Sequence, residues 1–450
     1  MLSASNTIAA ISTAQGQGGI GIVRLSGKDS LNIAKKICSG SIKPRFASFH
    51  NFLDSSSEVI DQGIVLYFPN PHSFTGEDVV ELQGHGGQAV LSALLNVCTE
   101  YGASIAEPGE FTKRAYLNNK IDLAQAESVI DVINATTIQA VKSATQNLTG
   151  KFSHKINTLL EKIITLRVYV EACIDFPEEE IDFIEKGKVI EKLNNIIAEI
   201  DEILTVAKHS QLLKDGINLV LIGKPNVGKS SLLNCLSGLE KSIVTEIPGT
   251  TRDLISSQIS IKGIPVNLID TAGLRETQDK VEQFGIQKTW EAIQGAQVAI
   301  LLTDITKENE DYEKNIFEKL PKDIKKIHVI NKIDLLSKSP SQEKRNNEFF
   351  IYISAKQEKG IDLLKNVVIE SVSENLQYDS GQSIFLAKAR HICALHSVRH
   401  ATSQALINKE SSELVAEELT QAQKELSAIT GEFSNEDLLG QIFSSFCIGK

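Results

Sequence analysis

The chain has 450 residues, 42% hydrophobic and 23% charged, with a formal net charge of −11. That length exceeds what one core supports, so about three domains are expected, and the composition is that of a folded chain rather than a disordered or fibrous one. The acidic balance argues against indiscriminate polyanion binding, and without an apolar stretch long enough to span a bilayer or a leader-like pattern in Met1 to Ala10 the expectation is a cytoplasmic protein with no membrane partner.

From Thr7 to about Asn118 the pattern is α+β. Gly18 to Gly27 alternates like a strand leaving a glycine turn, and Ile64 to Phe68 and Val79 to Leu82 repeat the strand pattern between Pro, Asn and Gly punctuation. Two polar residues interrupt these strands, Arg24 and Glu81; each reads either as a half-exposed strand residue or as the lining of a site. The Gln15 to Gly19 run is no phosphate loop, because no Lys-Ser/Thr follows it.

Lys120 to about Leu213 is helical. Ile156, Leu159, Ile163, Leu166, Val170 and Cys173 make one apolar stripe at three-four spacing, and Ile190, Leu193, Ile197, Ile200 and Leu204 make another. Asp175 to Glu185 is an acidic break between them. The helical pattern returns at Val415, Leu419, Ala422, Leu426 and Ile429, so two helical segments flank an α/β unit and suggest one discontinuous helical domain with the other inserted into it. The expected boundaries are 1–118, 119–215, 216–376 and 377–450. Six cysteines, at 38, 98, 173, 235, 393 and 447, form no Cys-x-x-Cys pair and read mostly as buried small apolar residues.

The inserted segment alternates strands with helices, as a doubly wound parallel sheet does. INLVLI, the NLID run, VAILLTD, KIHVINKID and FFIYIS supply five strands. Between the first strand and an apolar helix lies Gly223-Lys-Pro-Asn-Val-Gly-Lys-Ser230, a phosphate-binding loop whose backbone N–H groups converge at a helix N-terminus. Lys229 faces the β- and γ-phosphates and the Ser230 hydroxyl suits Mg²⁺. Four signals follow in the order a guanine-nucleotide switch needs. Thr250 and Thr251 lie in the TEIPGTTRD loop; Asp270-Thr271-Ala272-Gly273 ends a strand; Asn331-Lys332-Ile-Asp334 ends another and pairs with guanine through Asp334; Ser354-Ala355 closes over the base. The residue after Gly273 is Leu274, where a water-orienting glutamine stands in comparable switches, and Glu282 is a candidate for that task or a plain exposed helix carboxylate.

These stretches together resemble the MnmE (TrmE) family of tRNA modification GTPases. The resemblance runs from Thr7 to Lys450 and rests on GKPNVGKSSLLN, TEIPGTTRD, DTAGLRE, TGEDVVELQGHGG, PGEFTKRAYLNNKIDLAQAE, EACIDFPEEEIDF and the terminal FSSFCIGK. It implies a multidomain α/β protein: an α+β N-terminal folate-binding and dimerisation domain, a discontinuous helical domain and an inserted Ras-like G domain. It further implies a homodimer that works with the FAD-containing partner MnmG, as a heterotetramer. That complex installs an aminomethyl or carboxymethylaminomethyl group on C5 of the wobble uridine of certain tRNAs, using a one-carbon unit from a reduced folate.

Carried over residue by residue, the family's folate contacts fall on Arg24, Glu81, Lys120 and Lys450. Its GTP contacts fall on Asn226, Val227, Gly228, Lys229, Ser230 and Ser231, then on Thr245, Glu246, Ile247, Pro248, Gly249, Thr250 and Thr251. Asp270, Thr271, Ala272, Gly273, Asn331, Lys332, Asp334, Ser354 and Ala355 complete that set. Mg²⁺ is assigned to Ser230 and Thr251, and K⁺ to Asn226, Thr245, Ile247 and Thr250. Glu282 orients the attacking water and Cys447 is the family's essential C-terminal cysteine. Pro248 departs from the smaller residue common at its position. Two other classes compete with this reading. One is a ribosome-assembly GTPase that binds RNA, which leaves the GEFTKRA and CIGK stretches unexplained; the other is an autonomous one-carbon enzyme with a regulatory GTPase.

Overall fold

A computed structural model describes residues 6–14, 16–175, 188–224, 226–237, 255–270, 294–306, 320–321, 324–346, 348–372, 385–432 and 436–449. The chain divides into two compact units. The first comprises residues 1–130, 147–198 and 393–450, and the second residues 131–146 and 199–392.

Alternation builds the sheet of the first unit. Its strands are β1 (Ile8–Ile11), β2 (Gly18–Ser26), β3 (Ser48–Leu53), β4 (Val59–Phe68), β5 (Val79–Gly86) and β6 (Ser104–Ile105), in the order β3-β4-β5-β2-β1-β6. All neighbours are antiparallel except β1 and β6. In β5 the residues Val80 and Leu82 are fully buried, in one cluster with Leu91 and Leu94 of α2 (Gln88–Glu100) and Ile33 and Ile37 of α1 (Ser30–Ile37). Ile8 and Ala10 point to the opposite face, where Phe111 of α3 (Glu110–Leu117) and Ala106 pack on them. Sequence reading found β2, β4 and β5. It missed β1 and β6, which are short, and β3, whose SFHNFL alternates weakly and lies at the sheet edge.

Helices α4 (Leu123–Asn134), α5 (Ile138–Leu148), α6 (Lys151–Asp175) and α7 (Val189–Asp215) follow. As the spacing predicts, α6 buries Ile156, Leu159, Ile163, Leu166 and Val170. It packs along a later helix, Ser412–Thr430, which buries Val415, Leu419, Ala422, Leu426 and Ile429. In α7 the stripe is partly displaced: Leu193, Ile200 and Leu204 are buried as expected, but Val189 and Ile196 are buried in place of Ile190 and Ile197. Neighbouring apolar pairs leave two stripes one residue apart, a rotation of about 100°, and packing selects between them.

The second unit carries seven strands among the described residues. They are β7 (Ile217–Ile222), β8 (Ile255–Ile261), β9 (Ile264–Asp270), β10 (Val298–Asp304), β11 (Lys325–Asn331), β12 (Ser341–Arg345) and β13 (Glu348–Tyr352), ordered β12-β13-β11-β10-β7-β9-β8. The five inner strands are parallel and are the five read from sequence. The two edges, β8 and β12, are antiparallel additions. The sequence of β12, SQEKR, is exposed throughout and so shows no apolar period; its charges suit an unpaired edge. Helices α8 (Lys229–Ser237) and α9 (Ile361–Val372) cover one face through Leu232, Leu236, Leu364, Val367 and Val368. The chain then returns through α10 (Ala389–Ile407), α11 (Ser412–Thr430) and α12 (Glu436–Ser444).

Candidate functional sites

In the second unit, β7 lies where the strand order turns back on itself, between β9 and β10, and its C-terminal end delivers the loop Gly223 to Ser230. A crevice at such a point is where open α/β sheets hold ligands. The loop needs unusual backbone: Asn226 has φ +66° and Gly228 φ +102°. Lys229 and Ser230 open α8, and the Lys229 ammonium donates to the carbonyl oxygen of Gly223 at 2.7 Å, across the mouth of the loop.

Asn331 locks this loop to the segments that follow the later strands. It ends β11, is 2% exposed, donates through Nδ2 to the Val227 carbonyl at 2.8 Å and accepts through Oδ1 from the Ala355 amide at 2.9 Å. A Cβ at Gly228 would lie 2.3 Å from that Nδ2, so only glycine admits the contact. Asp334 accepts from the Ser354 hydroxyl at 2.6 Å, and the same hydroxyl accepts from the Gln357 amide at 3.2 Å. Through side-chain hydrogen bonds the phosphate loop thus meets two turns that lie more than a hundred residues further along the chain.

Lys332 has left-handed backbone, φ +67°, and its ammonium donates to Asp304 Oδ2 at 2.6 Å. Asp304 Oδ1 accepts from the Thr306 amide at 3.0 Å and hydroxyl at 2.8 Å. Burial pushes this carboxyl's pKa up, but the bonds from Lys332 and Thr306 outweigh it and hold it down at about 2. Asp304 was not among the residues singled out from sequence. Its signal was an acid closing the apolar strand VAILLTD, opposite Asn331 in register.

Asp270 ends β9 opposite Leu221, beside the start of the loop; its side chain lies outside the described residues. Thr245 to Thr251, Thr271, Ala272, Gly273, Leu274 and Glu282 also lie outside them.

In the first unit, Arg24 and Glu81 are opposite each other in the β2–β5 register. Arg24 donates through Nε at 3.0 Å and through a terminal nitrogen at 2.9 Å, both to Glu81 Oε1, and the side chains are 23% and 15% exposed. Glu81 Oε2 accepts from Gln83 at 3.1 Å, and the Arg24 guanidinium sits 5.8 Å from the Phe111 ring centre. The pair interrupts an apolar pattern because it occupies the sheet face opposite the main core.

The C-terminal tail docks nearby. The Gly109 amide donates to the Cys447 carbonyl at 3.4 Å, Ile448 bridges Pro108, and the Ser12 hydroxyl donates to the Gly449 carbonyl at 3.0 Å, just beyond β1. Cys447 is exposed, as is Cys393; Cys38 and Cys98 are buried, with thiols pushed up to about 12 by burial. Lys120 is placed differently: its ammonium donates to the Pro71 carbonyl at 3.1 Å, holding the loop before β5 rather than the Arg24–Glu81 pair. Lys450 lies outside the described residues. No helix among the described residues is long and apolar enough to cross a membrane.

The comparisons with known proteins cover nearly the whole chain. Residues 7–120 match the family model described as GTP-binding protein TrmE N-terminus, and residues 123–447 match that described as the MnmE helical domain. The tRNA modification GTPase MnmE of Hydrogenovibrio crunogenus is 48% identical over 452 residues, covering 100% of this chain and 99% of the relative. The protein of the same name from Nitrosomonas europaea is 48% identical with 100% of both chains covered. The G domain of the FeoB iron transporter of T. maritima aligns with 35% of this chain and 99% of its own at 24% identity, with a TM-score of 0.25. On the two family models and the full-length relatives, the chain belongs to the MnmE family of tRNA modification GTPases.

Proposed function

We propose that this chain hydrolyses GTP on the Gly223–Ser230 loop and, with the FAD-dependent partner MnmG, adds an aminomethyl or carboxymethylaminomethyl group to C5 of the wobble uridine of certain tRNAs. The one-carbon unit comes from a reduced folate, and the working form is a cytoplasmic homodimer joined to MnmG. The organisation is that of an N-terminal folate domain, a helical domain in two pieces and an inserted G domain. The observation that carries the nucleotide half is the Asn331 bridge between Val227 and Ala355. It fixes the phosphate loop to the segment that closes over a base, while Asp334, held by Ser354, presents the carboxylate that reads the guanine N1 and exocyclic amine.

The described residues fit the ions the family implies. Ser230 is exposed in the first turn of α8, where its hydroxyl suits Mg²⁺, and Asn226 is exposed on left-handed backbone, offering an amide oxygen for K⁺. A potassium ion there supplies positive charge beside the phosphates in place of an arginine. The remaining oxygens are assigned to Thr245, Ile247, Thr250 and Thr251, and the water to Glu282. For the folate, Arg24 and Glu81 offer a cation and an acceptor side by side, both partly exposed, which suits a ring with a donor edge and a carboxylated tail; Lys120 and Lys450 complete the folate assignment, and Cys447 is assigned a catalytic role. Chromatography of nucleosides from tRNA of a strain lacking the gene tests the reading. Loss of the C5-modified wobble uridine supports it, and an unchanged nucleoside profile contradicts it.

A further inference from the structure

Asp334 reads the base and the Gly223–Ser230 loop holds the phosphates; the Lys332 ammonium between them does neither. It has a fixed partner instead. It donates to Asp304 Oδ2 at 2.6 Å, and the side chains of Lys332 and Asp304 are 33% and 3% exposed. The acceptor is buried, while a third of the lysine side chain remains accessible along its four-carbon stem. Asp304 is itself held, since its other oxygen accepts from the Thr306 amide and hydroxyl. With its pKa at about 2 it is an anion throughout the neutral range, so its hold on Lys332 does not vary with pH there.

Strand order says where the stem lies. β10 sits between β11 and β7. Lys332 follows Asn331, the last residue of β11, and Asp304 ends β10 opposite Asn331. The stem therefore runs from the end of β11 back across the end of β10, in the direction of β7. The phosphate loop leaves on the far side of that same end: Leu301 pairs with Ile222 of β7, and a Cβ at Gly223 would lie 2.6 Å from the Leu302 carbonyl oxygen. Asp334 lies on the near side, just past β11. Two strand spacings, about 10 Å, separate the ends of β11 and β7. A nucleoside with its base at Asp334 and its phosphates on the Gly223–Ser230 loop crosses the end of β10 between them, over the Lys332 stem.

We propose that Asp304 is a positioning residue for guanine-nucleotide affinity: it pins the Lys332 ammonium so that the stem is laid out before the nucleotide arrives, and the base and ribose rest on it. This rests on the GTP reading above. Lysine carries as much rotamer freedom as any side chain. A loose stem would be ordered only as the base arrived, and that cost would weaken binding. The methylenes meet the nucleotide and the ammonium serves as their anchor.

The test uses the full chain, with wild-type affinities for GTP and GDP measured first by calorimetry. Asp304→Asn keeps an oxygen for Thr306 but turns an amide donor toward the ammonium. It should weaken GTP and GDP by the same factor, about three- to tenfold, because the two share base and sugar. KM for GTP should rise by that factor with kcat within about twofold, since no phosphate contact is altered. Lys332→Met keeps an unbranched stem and removes the ammonium, so it should weaken both nucleotides as Asp304→Asn does. The double variant should bind no more weakly than either single one, because both substitutions break the same anchor. If Asp304 served only the turn at Thr306, its loss would instead persist in the Lys332→Met background. Unchanged affinity in Asp304→Asn, a larger loss for GTP than for GDP, a fall in kcat beyond twofold, or losses that add in the double variant each overturn the proposal. Melting curves establish that the variants fold, and either single variant carries the GTP and GDP comparison if the other does not. If wild-type protein binds neither nucleotide, the GTP reading fails, an outcome distinct from failure of the anchor.

Discussion

The two candidate sites are assembled in different ways. The nucleotide site of the second unit is made of loops leaving the same ends of parallel strands, and short local motifs bring their own geometry: a glycine for the close approach, an asparagine for the bridge, a helix N-terminus for the phosphates. The Arg24–Glu81 face of the first unit is made by strand register. Its two members come from β2 and β5, opposite each other in register, and neither carries a local signature. A site built from loop motifs can be read residue by residue in a sequence; a site built from register depends on which strands pair.

The contrast is sharpest in what a single substitution should do. The largest expected effect is at Gly228, where a methyl group meets Asn331 Nδ2 and the backbone is left-handed. Gly228→Ala should abolish measurable GTP binding and lower stability by about 1–3 kcal/mol, checked by calorimetry and thermal unfolding. Removal of the bridge by Asn331→Ala strands a buried amide and carbonyl and should cost about 1–3 kcal/mol for each group left unsatisfied. Next comes hydrolysis itself: Glu282→Ala should lower kcat by about a hundredfold with little change in nucleotide affinity. Turnover in potassium chloride should exceed that in sodium chloride at equal ionic strength, and equal rates would remove potassium from the mechanism.

The first unit should respond more mildly. Arg24 and Glu81 form a partly exposed pair, so Glu81→Gln should change stability by no more than about 1 kcal/mol while weakening tetrahydrofolate binding. A fall in folate affinity without a fall in melting temperature is the expected signature. The smallest effect concerns pH. Asp304 sits at about 2 against an ordinary 3.8, so the stability it contributes is present above pH 3.8 and is lost as pH falls through 2. Asp304→Asn should remove that part of the acid slope in unfolding curves recorded between those limits.

The extent to which the sequence foretold this structure follows the same division. Strands β7 and β10 of the second unit were legible because burial on both faces leaves nearly continuous apolar runs, VAILLTD being wholly so up to its last two residues. The edge strand Ser341–Arg345 was not legible, since exposure on both faces leaves nothing periodic. Asn331, Asp334 and Ser354 were legible by spacing, but the hold of Asp304 on Lys332 was not, because it arises from two neighbouring strand ends. Arg24 and Glu81 stood out singly as polar interruptions; that they face each other became known only from register. Lys120 matched by type, and its bond to Pro71 shows that matching residues need not share one contact.

The central claim is that the guanine-reading loop of the second unit drives tRNA modification by the whole chain, and exchanging base specificity tests it most directly. Asp334→Asn replaces a carboxylate acceptor with an amide, which should disfavour GTP and favour xanthosine triphosphate. The measurement is the amount of C5-modified wobble uridine formed with the flavin partner and each nucleotide in turn. The expected result is loss of product with GTP and its return with xanthosine triphosphate. Undiminished product with GTP would contradict the account.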